Sequence, residues 1–193
     1  MARPRSEDKR LALLDAATEA VAAHGLGAPT SRIAMQAGVA EGTLFRYFPT
    51  KDALLNELYL HIKQNMCEAM TAHFVPTQEL RLRAQALWNS YIDWGIANAS
   101  ANSALNQLEV SEVLMSETRA RGHALFPDTG IASGYASNTV FAKLPEAFSD
   151  AIFVALADVT MRFAARDPKK AKAYKASGFA AMWTMFTDPK PGS

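Results

Sequence analysis

The sequence predicts an all-α protein of about nine helices. Through most of its 193 residues, apolar side chains recur at the spacing of an amphipathic helix. Prolines and glycines separate the apolar segments and mark where helices are expected to end. No segment has the pattern of a convincing strand, and there is no internal repeat or low-complexity segment.

The first helix is predicted to begin at Ser6, which is a good N-cap residue. Two acids, Glu7 and Asp8, follow in the first turn, where the helix dipole favours negative charge. Gly25 and Gly27 end the helix. Its inward face consists of Leu11, Leu14, Thr18 and Val21.

Residues 30–52 are the most informative segment because they predict a helix-turn-helix. The first short helix ends at Gly38, and the second runs from about Glu41 to Tyr47. A sharp turn at Gly38 suits glycine, which reaches positive φ without steric cost. The inward residues of the motif are Ile33, Ala34, Ala37, Val39, Leu44 and Phe48.

The outward face of the second short helix carries Glu41, Gly42, Thr43, Arg46 and Tyr47. A helix of this size fits the major groove of B-DNA, where outward side chains reach base edges and phosphates. An ordinary helical corner in a globular core is the alternative interpretation. Because the glycine spacing, the apolar spacing and the exposed polar residues agree, we expect the chain to bind double-stranded DNA.

A long fourth helix is predicted from Lys51 to about Phe74, and it links the DNA-binding part to the rest of the chain. Residues 77–126 predict two further helices with a weak break near residues 98–102. The apolar stripe of the fourth helix consists of Leu54, Leu55, Leu58, Ile62 and Met66.

The last third of the chain predicts a loop followed by two strong helices. Residues 127–138 are rich in turn-forming residues, and a short helix is expected over 139–143. One strong helix begins after Pro145 and the last helix begins after Pro168. Residues 189–193 are expected to form a frayed tail.

The helix-turn-helix resembles the N-terminal domain of the TetR family of transcriptional regulators over about residues 7–60. Its matching positions are Ile33, Ala34, Ala37, Gly38, Val39, Gly42, Leu44, Phe45, Phe48, Lys51 and Leu54. Phe45 departs from the family's usual Tyr, which removes a hydroxyl that often meets a phosphate. Ala40 replaces a frequent Ser, and a missing capping hydroxyl would cost roughly 1 kcal/mol.

The resemblance implies two domains. Residues 1–52 would form the DNA-binding domain, and residues 53–193 would form a helical domain for effector binding and dimerisation. The protein would then be a repressor that a small-molecule effector releases from a palindromic operator. The alternative is a repressor or activator that a protein partner controls, or a constitutive regulator, without a small-molecule pocket.

The resemblance also assigns roles on the DNA side. Thr43 and Tyr47 would face the DNA, and Gly42 would allow close approach to the groove. Arg46 could read guanine or pair with a phosphate, and Glu41 could accept from cytosine or remain a solvated acid. Backbone contacts would come from Thr30, Ser31 and Arg32, and from Lys51 at the start of the fourth helix.

Apolar stripes on the last two long helices predict a homodimer interface. Ala151 and Ala155 permit close helix approach, although both stripes could instead pack within one subunit. The family resemblance favours a two-fold dimer through a four-helix bundle, which implies a near-palindromic operator. The interface residues would be Phe148, Ile152, Leu156, Phe163, Phe179 and Trp183.

A set of aromatic and apolar residues in the C-terminal part predicts an apolar ligand pocket. Plain core packing is the alternative, since aromatic stripes usually serve that purpose. The pocket residues would be Trp88, Tyr91, Trp94, Leu108, Met115, Phe126, Phe148 and Trp183.

Composition excludes several classes of protein. The 20 basic and 19 acidic residues nearly balance, so bulk charge does not drive DNA binding. The single cysteine, Cys67, excludes an intrachain disulfide and suggests the cytoplasm, and no apolar run is long enough for a membrane span. No nucleophile with a paired base, phosphate loop or metal-ligand cluster is present, so we expect neither an enzyme nor a cofactor.

Overall fold

The computed structural model describes residues 5–72, 74–75, 79–126 and 146–187. Within these ranges the chain forms helices and no strand, which confirms the predicted all-α fold. None of the helices described is long and apolar enough to cross a membrane. The helices are α1 (Arg5–His24), α2 (Thr30–Gln36), α3 (Glu41–Tyr47), α4 (Lys51–Thr71), α5 (Leu80–Ala97), α6 (Ala99–Glu109), α7 (Ser116–Ala124), α8 (Glu146–Arg166) and α9 (Ala171–Thr187), with a 3₁₀ turn at Pro168–Lys170.

The prediction of only two helices between residues 77 and 126 was wrong, because α7 is a third. The break between α5 and α6 at Asn98 was predicted correctly. The sequence of α7, Ser116–Ala124, contains no large apolar residue, so hydrophobic periodicity could not reveal it. The loop and short helix predicted over 127–143 lie outside the described residues, as does the predicted tail.

The chain divides into two compact units. The first unit comprises the described residues of Met1–Cys67 together with Asn98–Phe126, so it holds α1–α3, most of α4, α6 and α7. The second comprises those of Glu68–Ala97 and Pro127–Ser193, with α5, α8 and α9. The predicted domains, 1–52 and 53–193, divide the chain by function and stay a prediction.

In the first unit, α1 packs against both α2 and α6. Leu14 and Val21 on the inward face of α1 are fully buried. Polar contacts add to this packing, because the Gln107 amide on α6 donates to the Val21 carbonyl oxygen at 3.2 Å. Residues of α6 therefore contact the same helix that supports the helix-turn-helix.

Buried Asn56 fastens α4 to the segment that follows α6. Its Nδ2 donates to the carbonyl oxygens of Asp52 at 2.8 Å and Val113 at 2.9 Å, and its Oδ1 accepts from the Met115 amide at 3.0 Å. Every hydrogen-bonding group of this amide except one lone pair is thereby used. Sequence analysis missed this residue, although a polar side chain inside the apolar stripe of α4 was an available signal.

A second polar cluster in the first unit centres on Glu109 at the end of α6. Its carboxylate accepts from the Tyr59 hydroxyl at 3.2 Å, from Lys63 Nζ at 2.7 Å and from Arg119 at 3.4 Å. Burial, followed by the charge of Glu109, raises the pKa of Tyr59 far above its ordinary value. The phenol therefore stays protonated and remains the donor in this bond.

The core of the second unit is aromatic. Trp88, Tyr91 and Trp94 on α5 are 1%, 5% and 3% exposed. The ring of Phe153 on α8 lies edge-on to Trp88 at 5.6 Å and stacks on Tyr91 at 5.8 Å between centroids. The Trp88 indole N–H donates to the Lys175 carbonyl oxygen on α9 at 3.0 Å, so one buried tryptophan joins three helices.

Candidate nucleic-acid interface

The turn between α2 and α3 has the geometry that the sequence predicts. Gly38 has φ +69°, which a residue with a side chain adopts only with strain. The Val39 amide donates to the Ala34 carbonyl oxygen at 3.0 Å and closes the turn. Ile33, Leu44 and Phe48 are at most 1% exposed, so the two short helices share one small core.

The nine residues that we predicted to contact DNA lie on α2, on α3 and at the start of α4, and none is buried. Those with high exposure are Ser31, Arg32, Glu41, Gly42 and Arg46. Those with intermediate exposure are Thr30, Thr43, Tyr47 and Lys51. The small core of the helix-turn-helix buries none of these side chains, so all of them are accessible to a ligand as large as DNA.

Two of these residues, Thr30 and Glu41, bond to each other. The Thr30 hydroxyl donates to Glu41 Oε1 at 2.6 Å, which joins the first turns of α2 and α3. A contact between Glu41 and cytosine would therefore have to share or displace this bond. Similarly, the Arg32 guanidinium lies 2.6 Å from His24 Nε2 at the end of α1.

Arg46 and Lys51 are the basic groups most available for DNA. Arg46 is exposed in the last turn of α3, and Lys51 begins α4. Neither residue forms an ion pair or a side-chain hydrogen bond in the part of the chain that the structure describes. Their positive charges are thus not neutralised by neighbouring carboxylates, which suits contact with phosphates.

The start of α3 lacks a side-chain cap, whereas the start of α4 has one. Thr50 Oγ1 accepts from the Ala53 amide at 3.0 Å, which satisfies a first-turn donor of α4. Ala40 occupies the N-cap of α3 with extended backbone angles, φ −70° and ψ 148°, and offers no side-chain acceptor. The backbone is therefore already suited to a capping hydroxyl.

We expect Ala40→Ser to stabilise the protein by about 1 kcal/mol, since serine would accept from a free amide of the first turn. The melting temperature should rise by about 2–4 °C, measured by circular dichroism. Ala23→Ser is the matched control, because it adds the same hydroxyl at an exposed position inside α1, where capping is impossible. An equal or lower melting temperature for Ala40→Ser would contradict the capping argument.

Gly42→Ala should separate DNA binding from folding. A Cβ built at Gly42 meets no atom within 4 Å, and alanine is the better helix former by up to about 1 kcal/mol, so the fold should lose nothing. If Gly42 permits close approach to the groove, the methyl group should weaken operator binding on the order of tenfold. Fluorescence anisotropy and thermal melting measure the two effects, and unchanged affinity would contradict the assigned role.

The residues predicted to line one ligand pocket fall in both compact units. Trp88, Tyr91, Trp94, Phe148 and Trp183 belong to the second unit, where Tyr91 stacks on Trp94, and Trp88 and Tyr91 both contact Phe153. The other three belong to the first unit: Leu108 is fully buried, Met115 is 58% exposed and Phe126 is half-buried. Phe126 lies beside Lys63, whose Nζ is 5.8 Å from the ring centroid.

The predicted dimer residues also differ in exposure. Phe148 and Phe163 on α8 are 48% and 50% exposed, and Ile152 and Leu156 are half-buried. Phe179 is only 2% exposed, because it packs inside the second unit against Trp183. These apolar residues on α8 are therefore accessible at the surface of the second unit, whereas Phe179 is part of the core of that unit.

Comparison with known proteins agrees with this geometry. Residues 13–58 match the family model for bacterial regulatory proteins of the tetR family. They contain the second half of α1, the whole helix-turn-helix and the first turns of α4.

Among the residues that the structure describes, no group of three or more His, Cys, Asp or Glu side chains could hold a metal ion.

One curated relative and two solved structures illustrate the similarity. The nucleoid occlusion factor SlmA of Haemophilus influenzae is 28% identical over 88 residues, which are 46% of this chain and 38% of that relative. The chain thus spans less than half the length of this relative.

Both solved structures match nearly the whole chain. A protein of Shewanella sp. PV-4 assigned to the tetR family of transcription regulators is 25% identical, with a TM-score of 0.74 and coverage of 91% of this chain and 96% of that one. The TetR-like regulator LfrR of Mycobacterium smegmatis, solved with proflavine, is 21% identical, with a TM-score of 0.64 and coverage of 95% and 99%. At 21% identity, the similarity to LfrR shows a shared fold alone.

Proposed function

Because this chain belongs to the TetR family of DNA-binding transcriptional regulators, we propose that it is a homodimeric repressor which a small molecule releases from its operator. The observation that carries the proposal is the exposed face of the helix-turn-helix, with nine accessible residues over a closed core. This role places the protein in the cytoplasm with its operator DNA. Its chemistry is binding, not catalysis.

On the DNA, α3 lies in the major groove and α2 crosses the backbone. Thr43 and Tyr47 face the bases, while Arg46 and Lys51 neutralise phosphates or, for Arg46, read a guanine. Thr30, Ser31 and Arg32 on α2 contribute hydrogen bonds to the backbone. These assignments follow from position on α2–α4 and from the match to the family.

Two copies of the chain associate through α8, with α9 completing a four-helix bundle. The support is the exposed apolar stripe on α8, where Phe148 and Phe163 remain about half exposed beside the small residues Ala151 and Ala155. Burying these rings against a second copy removes apolar area from water. Because the dimer has two-fold symmetry, the two half-sites of its operator are expected to form a near-palindrome.

The effector binds among the aromatic residues of the second unit, around Trp88, Tyr91 and Trp94. An aromatic, largely apolar surrounding suits a planar organic molecule, and a fold neighbour was solved with proflavine. Release from DNA requires that the effector bind more tightly to the conformation that does not fit the operator. Without that difference in affinity, occupancy would not change DNA binding.

The proposal can be tested in two steps. A duplex enriched from a random library provides the operator, and fluorescence anisotropy measures its Kd for the wild type and for Thr43→Ala. Thr43→Ala should weaken binding, whereas Ala23→Ser on α1 should not. The operator Kd is then measured with and without saturating proflavine, whose binding is monitored by the fluorescence of the protein's tryptophans. Saturation with no change in Kd would contradict release by this class of ligand.

A second candidate function is a regulator without a small-molecule pocket. The mutual packing of Trp88, Tyr91 and Phe153 favours it, because these rings fill space that an effector would need. Such a protein would act as a repressor or an activator, either constitutively or under control of a protein partner. A reporter gene behind the selected operator distinguishes repression from activation by the sign of its change on expression of the chain.

A further inference from the structure

We infer that an open cleft in the first unit binds small amphipathic carboxylates, at a site distinct from the proposed effector site. The cleft has a volume of about 470 Å³ and is walled by α1, α4 and α7. This volume lies within the range of known small-molecule sites. None of its lining residues belongs to the set predicted to bind an effector, and none belongs to the DNA-binding set.

The apolar part of the cleft comes from α4 and from the end of α7. Leu60, Ala124 and Leu125 line it, and Leu60 and Leu125 are half-buried. The Cys67 thiol on α4 donates to the Leu125 carbonyl oxygen at 3.1 Å, which holds the residue after α7 against α4. Such a surface accepts a short aliphatic or aromatic body and removes its apolar area from water.

The walls are held in place on both sides. On one side, Arg10 bonds to Glu57, and His61 Nε2 lies 3.5 Å from Asp15, so two polar pairs join α1 to α4. On the other side, α7 packs so tightly on α4 that a Cβ at Gly122 would lie 2.5 Å from the Tyr59 ring. The cleft therefore does not have to form when a ligand arrives, which lowers the cost of binding.

One arginine of the cleft, Arg121, is placed to bind an anion. Arg10 engages the lining carboxylate of Glu57 and, at 3.5 Å, the carboxylate of Glu7, so its charge is already offset. Arg121 is therefore the arginine left to bind a ligand. Arg121 is exposed at the cleft and has no ion-pair or hydrogen-bond partner in the described part of the chain. A guanidinium binds a carboxylate through two parallel hydrogen bonds, and apolar residues beside it would hold the remainder of such a ligand.

The test uses 4-phenylbutyrate as the probe and follows backbone amide NMR shifts in the intact protein. Shifts are expected at Leu60, Gln64, Arg121 and Leu125. The amine of the same skeleton, 4-phenylbutylamine, should leave these amides unchanged because its charge is reversed. Arg121→Gln should weaken binding about 10- to 100-fold, since a hydrogen bond between charged groups is lost, whereas Arg121→Lys, which keeps the charge but loses the paired geometry, should weaken it less. Lys169→Gln, an exposed change in the second unit, is the control.

The location of binding is checked with 5-fluorotryptophan. All three tryptophans, Trp88, Trp94 and Trp183, belong to the second unit, so their ¹⁹F signals report on the unit that holds the proposed effector site. Shifts of the cleft amides with unchanged ¹⁹F signals support the cleft. Shifts of the ¹⁹F signals alone overturn the cleft and support the effector site, and binding that survives Arg121→Gln or accepts the amine overturns the cleft as well.

Discussion

Arg46→Ala should weaken operator binding at least about 30-fold while leaving the melting temperature unchanged. Arg46 is exposed and forms no hydrogen bond or ion pair among the described residues, so the fold loses neither when the side chain is removed. The proposed dimer would present the residue twice, and each arginine contact to a base or phosphate contributes on the order of 1 kcal/mol or more. Two independent losses add to about 2 kcal/mol, which corresponds to this change in Kd.

The same variant distinguishes the two roles that remain open for Arg46. If the guanidinium pairs with a phosphate, Arg46→Ala should weaken all sequences similarly and lower the salt dependence of binding. If it reads a guanine, affinity should fall mainly for the operator, and one base pair in each half-site should become interchangeable. Lys172→Ala, which removes an exposed charge on α9, is the control. Wild-type affinity for Arg46→Ala would remove this residue from the interface.

Gly178→Ala should destabilise the protein by about 2–3 kcal/mol, although alanine is ordinarily the better helix former. A Cβ at this position of α9 would lie 2.5 Å from Thr160 Oγ1 and 2.8 Å from Trp88 Cζ2. Moving either side chain away from the new methyl group would strain a hydrogen bond. Thr160 donates to the Leu156 carbonyl oxygen, and Trp88 donates to the Lys175 carbonyl oxygen. The melting temperature should fall by about 4–12 °C, measured by calorimetry or circular dichroism.

A double variant tests the cause of that loss. Thr160→Ala removes the atom nearest to the new methyl group, so Gly178→Ala should cost less in its presence, and the difference measures the steric coupling. Gly27→Ala serves as the control, because a Cβ there meets nothing within 4 Å. Equal costs of Gly178→Ala with and without Thr160 would place the strain elsewhere.

The sequence alone determined the DNA-binding motif, because the interactions that form it are local. Ile33, Gly38 and Leu44 lie within twelve positions of one another, and the turn and the small core depend on residues in that window. The bounds of α3 and the positive φ of Gly38 were therefore predicted correctly. The long amphipathic helices α4 and α8 were also recognisable, since each carries its own apolar stripe.

Only the tertiary structure decided which distant residues share a unit. Leu108 and Trp88 have the same apolar character in the sequence, yet they lie in the cores of different units. Asn56 reaches a carbonyl 57 positions away, and α7 packs on Tyr59 through a glycine, so neither contact leaves a periodic signal. Local patterns specify helices because backbone hydrogen bonds join near neighbours, whereas side-chain packing joins residues whose separation along the chain carries no information about contact.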